Sequence, residues 1–417
     1  MNEAIGLVRR STETVLLRGS TFIVSLGLSV VISRGLGPEG RGYYSLAILS
    51  ALVLATLGKL GLEHANVYLL GTVGVPRMRL ASQNALVSLV TGLFAIVVLL
   101  LAPSLLPAVF GDMPIGYLAL AGFTIPFTIH SQLASGLQNL TGQITWQFRA
   151  LLGGALIQLI LAGALAIFGR LDVATALGAY LVGGLATWIL LMYRDRWQTL
   201  QIRIEQPLLV QSLRYALVIH VGLLLLFLET RLNLFMVKAF LDTTALGQYS
   251  LSVSLAEAVL LAADSLAITL LPQQTAARLG EAARLGWTGA KVGGTLTAIL
   301  MLPGLLLGPI LIPLLFGNVF APSYPPFAFL LPGMIFLAMQ RYCGAPILRA
   351  NDPWRFVRII SIGVLVNVGL NVWWIPSLGL TGAALATTVS YAVTAILLLR
   401  WTHALATTPL HPQATIA

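Results

Sequence analysis

The sequence predicts an all-α integral membrane protein of about twelve transmembrane helices. Of its 417 residues, 58% are hydrophobic and only 9% are charged, and the mean hydropathy is +0.91. A soluble domain cannot keep such a composition in water. Apolar runs of about twenty residues recur from end to end, each long enough at ~1.5 Å per residue to cross a hydrocarbon core of ~30 Å.

The runs fall at 14–33, 43–62, 82–103, 116–137, 146–168, 173–193, 214–237, 248–271, 287–313, 327–348, 356–374 and 380–401. No stretch between them is large enough for a soluble domain. Arg9 and Arg10 precede the first run, but that run lacks the small-residue cleavage pattern of a secretory signal and is expected to remain as a span. With the N-terminus in the cytoplasm, inside segments hold seventeen of the 24 Lys and Arg. Outside segments hold four, Arg34, Arg41, Arg170 and Lys238, and three more, Arg18, Arg231 and Arg341, fall within spans. The positive-inside rule then puts both termini in the cytoplasm. Trp373 and Trp374 mark the outer interface, and Trp146, Trp287, Trp354 and Trp401 the inner one.

The net charge of +10 does not point to nucleic acid, because the basic residues form no continuous patch. Cys343 is the only cysteine, so the fold rests on neither a disulfide nor a cysteine-rich metal site. The longest inside connection, 194–214, contains Trp197, Ile202, Ile204 and Leu208 and is expected to include a short helix on the anionic inner leaflet. It divides the chain into lobes 1–207 and 208–401, followed by a cytoplasmic tail, 402–417.

An internal echo supports that division. Gly42, Tyr44, Ser45 and Leu46 open the second run, and Gly247, Tyr249, Ser250 and Leu251 open the eighth in the same spacing. Trp146 and Phe148 are echoed by Trp354 and Phe356 at the start of the eleventh. Six spans per half is an even number, so two six-helix bundles related by a pseudo-two-fold axis along the membrane normal are expected, as in transporters that work by alternating access. A helical scaffold without cargo is the plainer reading of the same pattern.

A charge at the bilayer centre costs at least ~2.5–3.5 kcal/mol, so each one calls for a partner, a cavity or a route to the surface. Arg18 lies about 12 Å along the first helix from Arg10, and Arg341 is similarly placed relative to Arg349. If both face a central cleft they form a cationic site for a phosphate or diphosphate, with Arg231 as a third donor. The alternative is that they snorkel to headgroups. Glu257 and Asp264, seven apart, are expected on one face of the eighth helix, with Ser250 and Ser254. Glu229 and Arg231 point to nearly opposite sides of the seventh, so each needs a partner on another span. Glu229, Glu257 and Asp264 are candidates for ion coupling, by protons or sodium ions, or for structural bridges to the arginines. His130, Gln132, His220, Asn367 and Asn371 can line a sugar path or bond neighbouring helices.

No G-x-x-x-x-G-K-[ST] phosphate loop is present, so nucleotide hydrolysis by this chain is not expected. The two longest outer connections contain one charged residue, Asp112, which argues against an enzyme, and no cofactor is expected.

The chain resembles the multidrug, oligosaccharidyl-lipid and polysaccharide exporter (MOP) superfamily, in its Wzx-type polysaccharide flippase branch, over nearly its whole length. The resemblance rests on Leu17-Arg18-Gly19-Ser20, the stretch from Ser33 to Ser45, the stretch from Leu137 to Phe148, and that from Leu378 to Thr387. It implies two six-helix bundles around a large cavity and undecaprenyl-diphosphate oligosaccharide as cargo, with other polysaccharide-assembly proteins as candidate partners. Arg18 matches the first-helix cation of lipid-linked precursor flippases, where drug and cation antiporters of the superfamily often carry a carboxylate. Glu229 resembles the seventh-helix acid of some antiporters, which makes antiport the alternative. The major facilitator superfamily also has twelve spans, but its charged signature between the second and third spans is missing from 71–79.

Overall fold

Hydrocarbon offers no partner to a backbone N–H or C=O, so a chain this apolar must close its hydrogen bonds within its own segments. The computed structural model, described over residues 2–140, 143–194, 205–350 and 352–407, is helical almost throughout and contains no β-strand among the described residues.

The first helix, α1 (Asn2–Gly58), is 57 residues long and would span about 85 Å if straight, nearly three times the hydrocarbon core. It breaks at Gly37, where φ is 66° and ψ −177°, immediately before Pro38. The left-handed φ suits a residue without Cβ, and proline is well placed at the start of the second arm. The arms run back alongside one another: Arg41 Nη1 reaches the Ser29 hydroxyl at 3.0 Å and its carbonyl at 3.3 Å, and bonds Ser33. Along a straight helix, residues 29 and 41 would be about 18 Å apart. The last helix, α15 (Pro353–Thr407), repeats the device at Gly379, with φ 61° and ψ −137°. There the Ser390 hydroxyl lies 2.9 Å from the Gly363 carbonyl, 27 residues away.

Between them lie α2 (Leu62–Tyr68), a π-helical turn (Leu69–Val73), α3 (Arg77–Leu105), α4 (Pro107–Phe110), α5 (Ile115–Gly122), α6 (Ile125–Leu140), α7 (Ile144–Ile167), α8 (Val173–Arg194) and α9 (Gln206–Phe240). Then come α10 (Thr243–Ala258), α11 (Leu261–Ala276), α12 (Leu279–Phe316), a 3₁₀ turn (Asn318–Ser323), α13 (Tyr324–Gln340) and α14 (Gly344–Arg349). Among the described residues, eight helices are long and apolar enough to cross a membrane, and the bent pair α10 and α11, counted as one span, makes a ninth. Dividing α1 and α15 at their glycines and taking α5 with α6 as one interrupted span gives the twelve crossings that the sequence predicts.

Several local readings change. The eighth run is not one helix: α10 ends at Ala258, α11 starts at Leu261, and the two are bent by 48°. The continuous helix on which a seven-residue spacing would place Glu257 and Asp264 on one face is therefore interrupted between them. The tenth run is interrupted between α13 and α14, which puts Arg341 at the C-cap of α13 rather than inside a helix. α9 begins at Gln206, earlier than expected, and the interfacial helix expected in 194–214 falls mostly on 195–204, outside the described residues. Of the tail, 402–407 continue α15 and the rest lies outside them. Arg41, counted among outside charges, is 5% exposed: four serine oxygens receive its guanidinium, the last being Ser250 Oγ at 3.2 Å.

The chain forms two compact units. The first comprises Met1–Leu224, Lys238–Ser250 and Leu315–Phe320, the second Leu225–Val237, Leu251–Leu314 and Ala321–Ala417. In the first, α7 packs on α1 and α8, and α3 on α6. In the second, α13 packs on α15, and the buried Tyr342 donates to the Ala263 carbonyl at 2.7 Å.

The repeated residues meet within the first unit. A Cβ on Gly42 would collide with the Thr243 carbonyl, and one on Gly247 with the Pro38 carbonyl. Pro38 and Thr243 stand at the same separation as Gly42 and Gly247, so the contact is reciprocal, as a two-fold relation between like segments requires. At its centre Ser45 and Ser250, 205 positions apart, share a hydrogen bond of 3.0 Å. Gly247→Ala should therefore lower stability by about 1–3 kcal/mol through overpacking. Gly178→Ala, where a Cβ meets nothing within 4 Å, should be neutral or stabilising by up to ~1 kcal/mol. Thermal unfolding of the two variants in one detergent checks the opposite signs.

Candidate functional site

Intramembrane charges are where a chain of this kind departs from packing alone, and the structure gives each of them a distinct setting. On α9, Glu229 and Arg231 project in different directions, and both are served by other helices.

Glu229 is fully buried. Its Oε1 accepts from the Ser390 hydroxyl at 2.8 Å and the Thr394 hydroxyl at 2.6 Å, both on the second arm of α15. Gly363, on the first arm, lies so close that a Cβ there would strike Oε1 and Thr394. The Ser390 proton is contested, since the Gly363 carbonyl is also within reach. Glu229 Oε2 has no hydrogen-bond partner. One turn further along α9, Asn233 Nδ2 donates to Thr387 Oγ1 at 2.8 Å. This lining of carboxylate and hydroxyl oxygens suits a proton or a hard cation. No group of three or more His, Cys, Asp or Glu that can hold a metal occurs among the described residues.

Arg231 pairs with Glu257 on α10 in a bidentate fork, Nη1 to Oε1 at 2.7 Å and Nη2 to Oε2 at 3.2 Å. Two parallel charge-assisted bonds are the strongest form this pair can take. Arg341 meets Asp264 more loosely, Nε to Oδ1 at 3.3 Å, with the arginine side chain 44% exposed. Glu257 and Asp264 thus each pair with an arginine in this structure.

Arg18 differs. Its guanidinium lies 5.7 Å from the ring centroid of Phe148 on α7, and no carboxylate pairs with it among the described residues. A cation over an aromatic face gains about 0.5–1 kcal/mol where water reaches it, well short of the cost of a charge in hydrocarbon. The side chain is partly exposed, which leaves room for an anion.

The polar candidates divide. Gln132 on α6 is half-buried. Asn367 and Asn371 are fully buried, with Asn371 Nδ2 donating to the Asn367 carbonyl and side-chain oxygens, each at 2.8 Å. They bond each other along one helix and present no surface to a ligand in this conformation. His130 Nδ1 accepts from the Trp188 indole at 3.0 Å, an interhelical bond. Sequence reasoning missed Ser390 and Thr394 as partners of Glu229. Thr387, Ser390 and Thr394 form a stripe of hydroxyls three and four apart on the last span, a pattern visible in the sequence but without its partner.

Truncating the tighter pair tests this arrangement. Both side chains of Arg231 and Glu257 are largely shielded, at 24% and 30% exposed, so Glu257→Gln should destabilise by about 1–3 kcal/mol, below the ~3–5 kcal/mol of a fully buried pair. The looser Asp264→Asn should cost under ~1 kcal/mol. Double-mutant cycles read by thermal unfolding measure both couplings.

No protein-family model matches the sequence, and no curated protein matches it. The fold, in contrast, matches solved structures. One, described as the inward-facing conformation of a multidrug resistance MATE family transporter of the MOP superfamily, aligns with a TM-score of 0.74 at 15% identity, covering 95% of this chain and 100% of that one. The lipid II flippase MurJ, in an inward closed conformation, aligns with a TM-score of 0.74 at 14% identity, covering 95% and 87%. A MOP superfamily transporter from Pyrococcus furiosus, described as having a binding pocket of reverse polarity that suggests a different function, aligns at 0.67 and 15% identity, covering 95% and 94%. The chain has the fold of these transporters.

Proposed function

We propose that this protein is a transporter, specifically a flippase that moves undecaprenyl-diphosphate-linked oligosaccharide across a bacterial inner membrane by alternating access, for cell-surface polysaccharide synthesis. The observation that carries the reading is Arg18. Of the three arginines within or capping spans, Arg231 and Arg341 already hold carboxylates, whereas Arg18 has none among the described residues. A guanidinium in the first helix that lacks an acid but is open to an anion is suited to the phosphate of a lipid diphosphate, which it meets with a planar fork of donors. A lipid II flippase among the structures of like fold supports a lipid-linked cargo.

In this reading Arg18 makes the first diphosphate contact. Arg341, held by a single longer bond, exchanges Asp264 for phosphate more readily than Arg231 releases the bidentate Glu257. Gln132, Asn367 and Asn371 are the candidate sugar contacts, the asparagines only after a rearrangement that exposes them. Glu229, Glu257 and Asp264 tune or couple the motion, with protons or sodium ions as the coupling species. Both termini are cytoplasmic, the cargo leaves chemically unchanged, and other polysaccharide-assembly proteins are the partners.

Glu229 supports a second reading. A buried carboxylate with one oxygen unpartnered is the kind of group a drug or cation antiporter uses, and MATE family transporters share the fold.

Reconstitution into liposomes with a fluorescent undecaprenyl-diphosphate oligosaccharide separates the two. A hydrogen bond to a charged group contributes about 1.5–3 kcal/mol, so Arg18→Ala should slow transfer to the quencher-accessible face roughly ten- to a hundredfold at unchanged protein level. Absence of transfer with several glycans, together with proton-driven efflux of a cationic dye that Glu229→Gln abolishes, would replace the flippase with the antiporter.

A further inference from the structure

The first turns of α12, in the second unit, carry cations that transport as proposed above does not use. One side of this helix is closed by packing: a Cβ on Gly289 or Gly293 would strike the Tyr342 ring, and Ala282, Ala283, Ala290 and Thr297 are fully buried. The opposite side is open. Arg284, Lys291, Thr295, Ile299, Leu302 and Leu306 follow one another there in helical register, and all six are exposed. The stripe changes character along its length. It is polar as far as Thr295, whereas Ile299, Leu302 and Leu306 are apolar and 58%, 48% and 73% exposed. α12 has 38 residues, about 57 Å of helix against a hydrocarbon core of ~30 Å. With its apolar end in the core, the polar turns reach the headgroups.

The cations on those turns are held in place by α15 and by an aromatic ring. Arg284 Nε donates to the Ala406 carbonyl of α15 at 3.3 Å. Lys291 Nζ lies 5.2 Å from the centroid of the Trp287 ring, and the same ring meets His403 of α15 at 5.0 Å between centroids. Arg400, one turn before His403, is exposed as His403 is. Glu281 stands one turn before Arg284, yet no carboxylate pairs with Arg284, Lys291 or Arg400 among the described residues. Three positive charges are thus gathered at the adjoining ends of α12 and α15 without a counter-ion, beside a tryptophan suited to the interface and in line with an apolar stripe that runs into the membrane. A free phosphate would use the charges and leave the stripe bare, and a neutral lipid would do the reverse.

We propose that the junction of α12 and α15 binds an anionic phospholipid, whose phosphate lies among Arg284, Lys291 and Arg400 and whose acyl chain runs along Ile299, Leu302 and Leu306. Charge complementarity selects the headgroup, and the stripe selects a ligand with a tail. The site is filled whatever the cargo.

The test is native mass spectrometry of the full chain released from a neutral detergent, with phosphatidylglycerol and phosphatidylcholine of the same acyl chains as probes. A basic residue near an anionic lipid is worth about fivefold in affinity, so phosphatidylglycerol should bind at least about tenfold more tightly than phosphatidylcholine. Lys291→Gln should weaken phosphatidylglycerol about fivefold, and Arg284→Gln combined with Lys291→Gln about twenty-five-fold, with phosphatidylcholine unchanged. Arg149→Gln, which removes the same charge from an arginine already paired with Glu13, should leave the preference intact. Equal affinities for the two lipids, an equal loss from Arg149→Gln, or displacement of the lipid by millimolar inorganic phosphate overturns the proposal. Should the double variant fail to fold, phosphatidylglycerol bearing a diazirine in its acyl chain is cross-linked to the unsubstituted chain. Adducts within 292–306 are expected, and adducts confined to other helices overturn the site.

Discussion

The absence of water in the hydrocarbon core sets the form of this protein. Every backbone N–H and C=O at membrane depth must find its partner within the same helix, so the chain can reverse only at the membrane faces, and two of its reversals are made by a single glycine each. Gly37 and Gly379 take left-handed φ values of 66° and 61°, and helical hydrogen bonding resumes at once on either side. The tight return brings Ser29 and Ser33 to Arg41 in the first hairpin and Gly363 to Ser390 in the last. Those cross-arm polar contacts make Arg41 tolerable inside and position the hydroxyls around Glu229. The site chemistry is therefore downstream of the turns.

Much of this was legible in the sequence because hydrophobic length is a strong signal. The runs could be counted, and the echo between residues 42–46 and 247–251 marked the segments that pack reciprocally. What the sequence did not disclose depends on neighbours in space. The break between α10 and α11 carries neither proline nor glycine at 259–260, so the spacing of Glu257 and Asp264 read as one helical face. Arg41 read as an outside charge because its serine partners lie on another arm and on α10. Ser390 and Thr394 read as ordinary polar residues of a span until α15 folded back and Glu229 was placed against them.

The three arginines show how one residue type in one solvent can serve different ends. Arg231 is neutralised by two parallel bonds, Arg341 by one longer bond at a half-exposed cap, and Arg18 meets an aromatic face and, among the described residues, no carboxylate. Their order of electrostatic satisfaction is an order of availability to an incoming anion. Glu229 is the counterpart on the acidic side, held by hydroxyl dipoles rather than by a countercharge. A carboxylate in that setting keeps one oxygen unpartnered, whereas the one locked to a guanidinium has both oxygens engaged.

The glycine hairpins also decide how little chain is left between helices. Gly37 follows the first crossing and Gly379 the eleventh, so both lie on the same side of the membrane. The other links on that side, 106–114, 168–172, 241–242 and 317–323, are nine residues or fewer, and two of them contain short helical turns. Links this short give a protease few extended segments to bind.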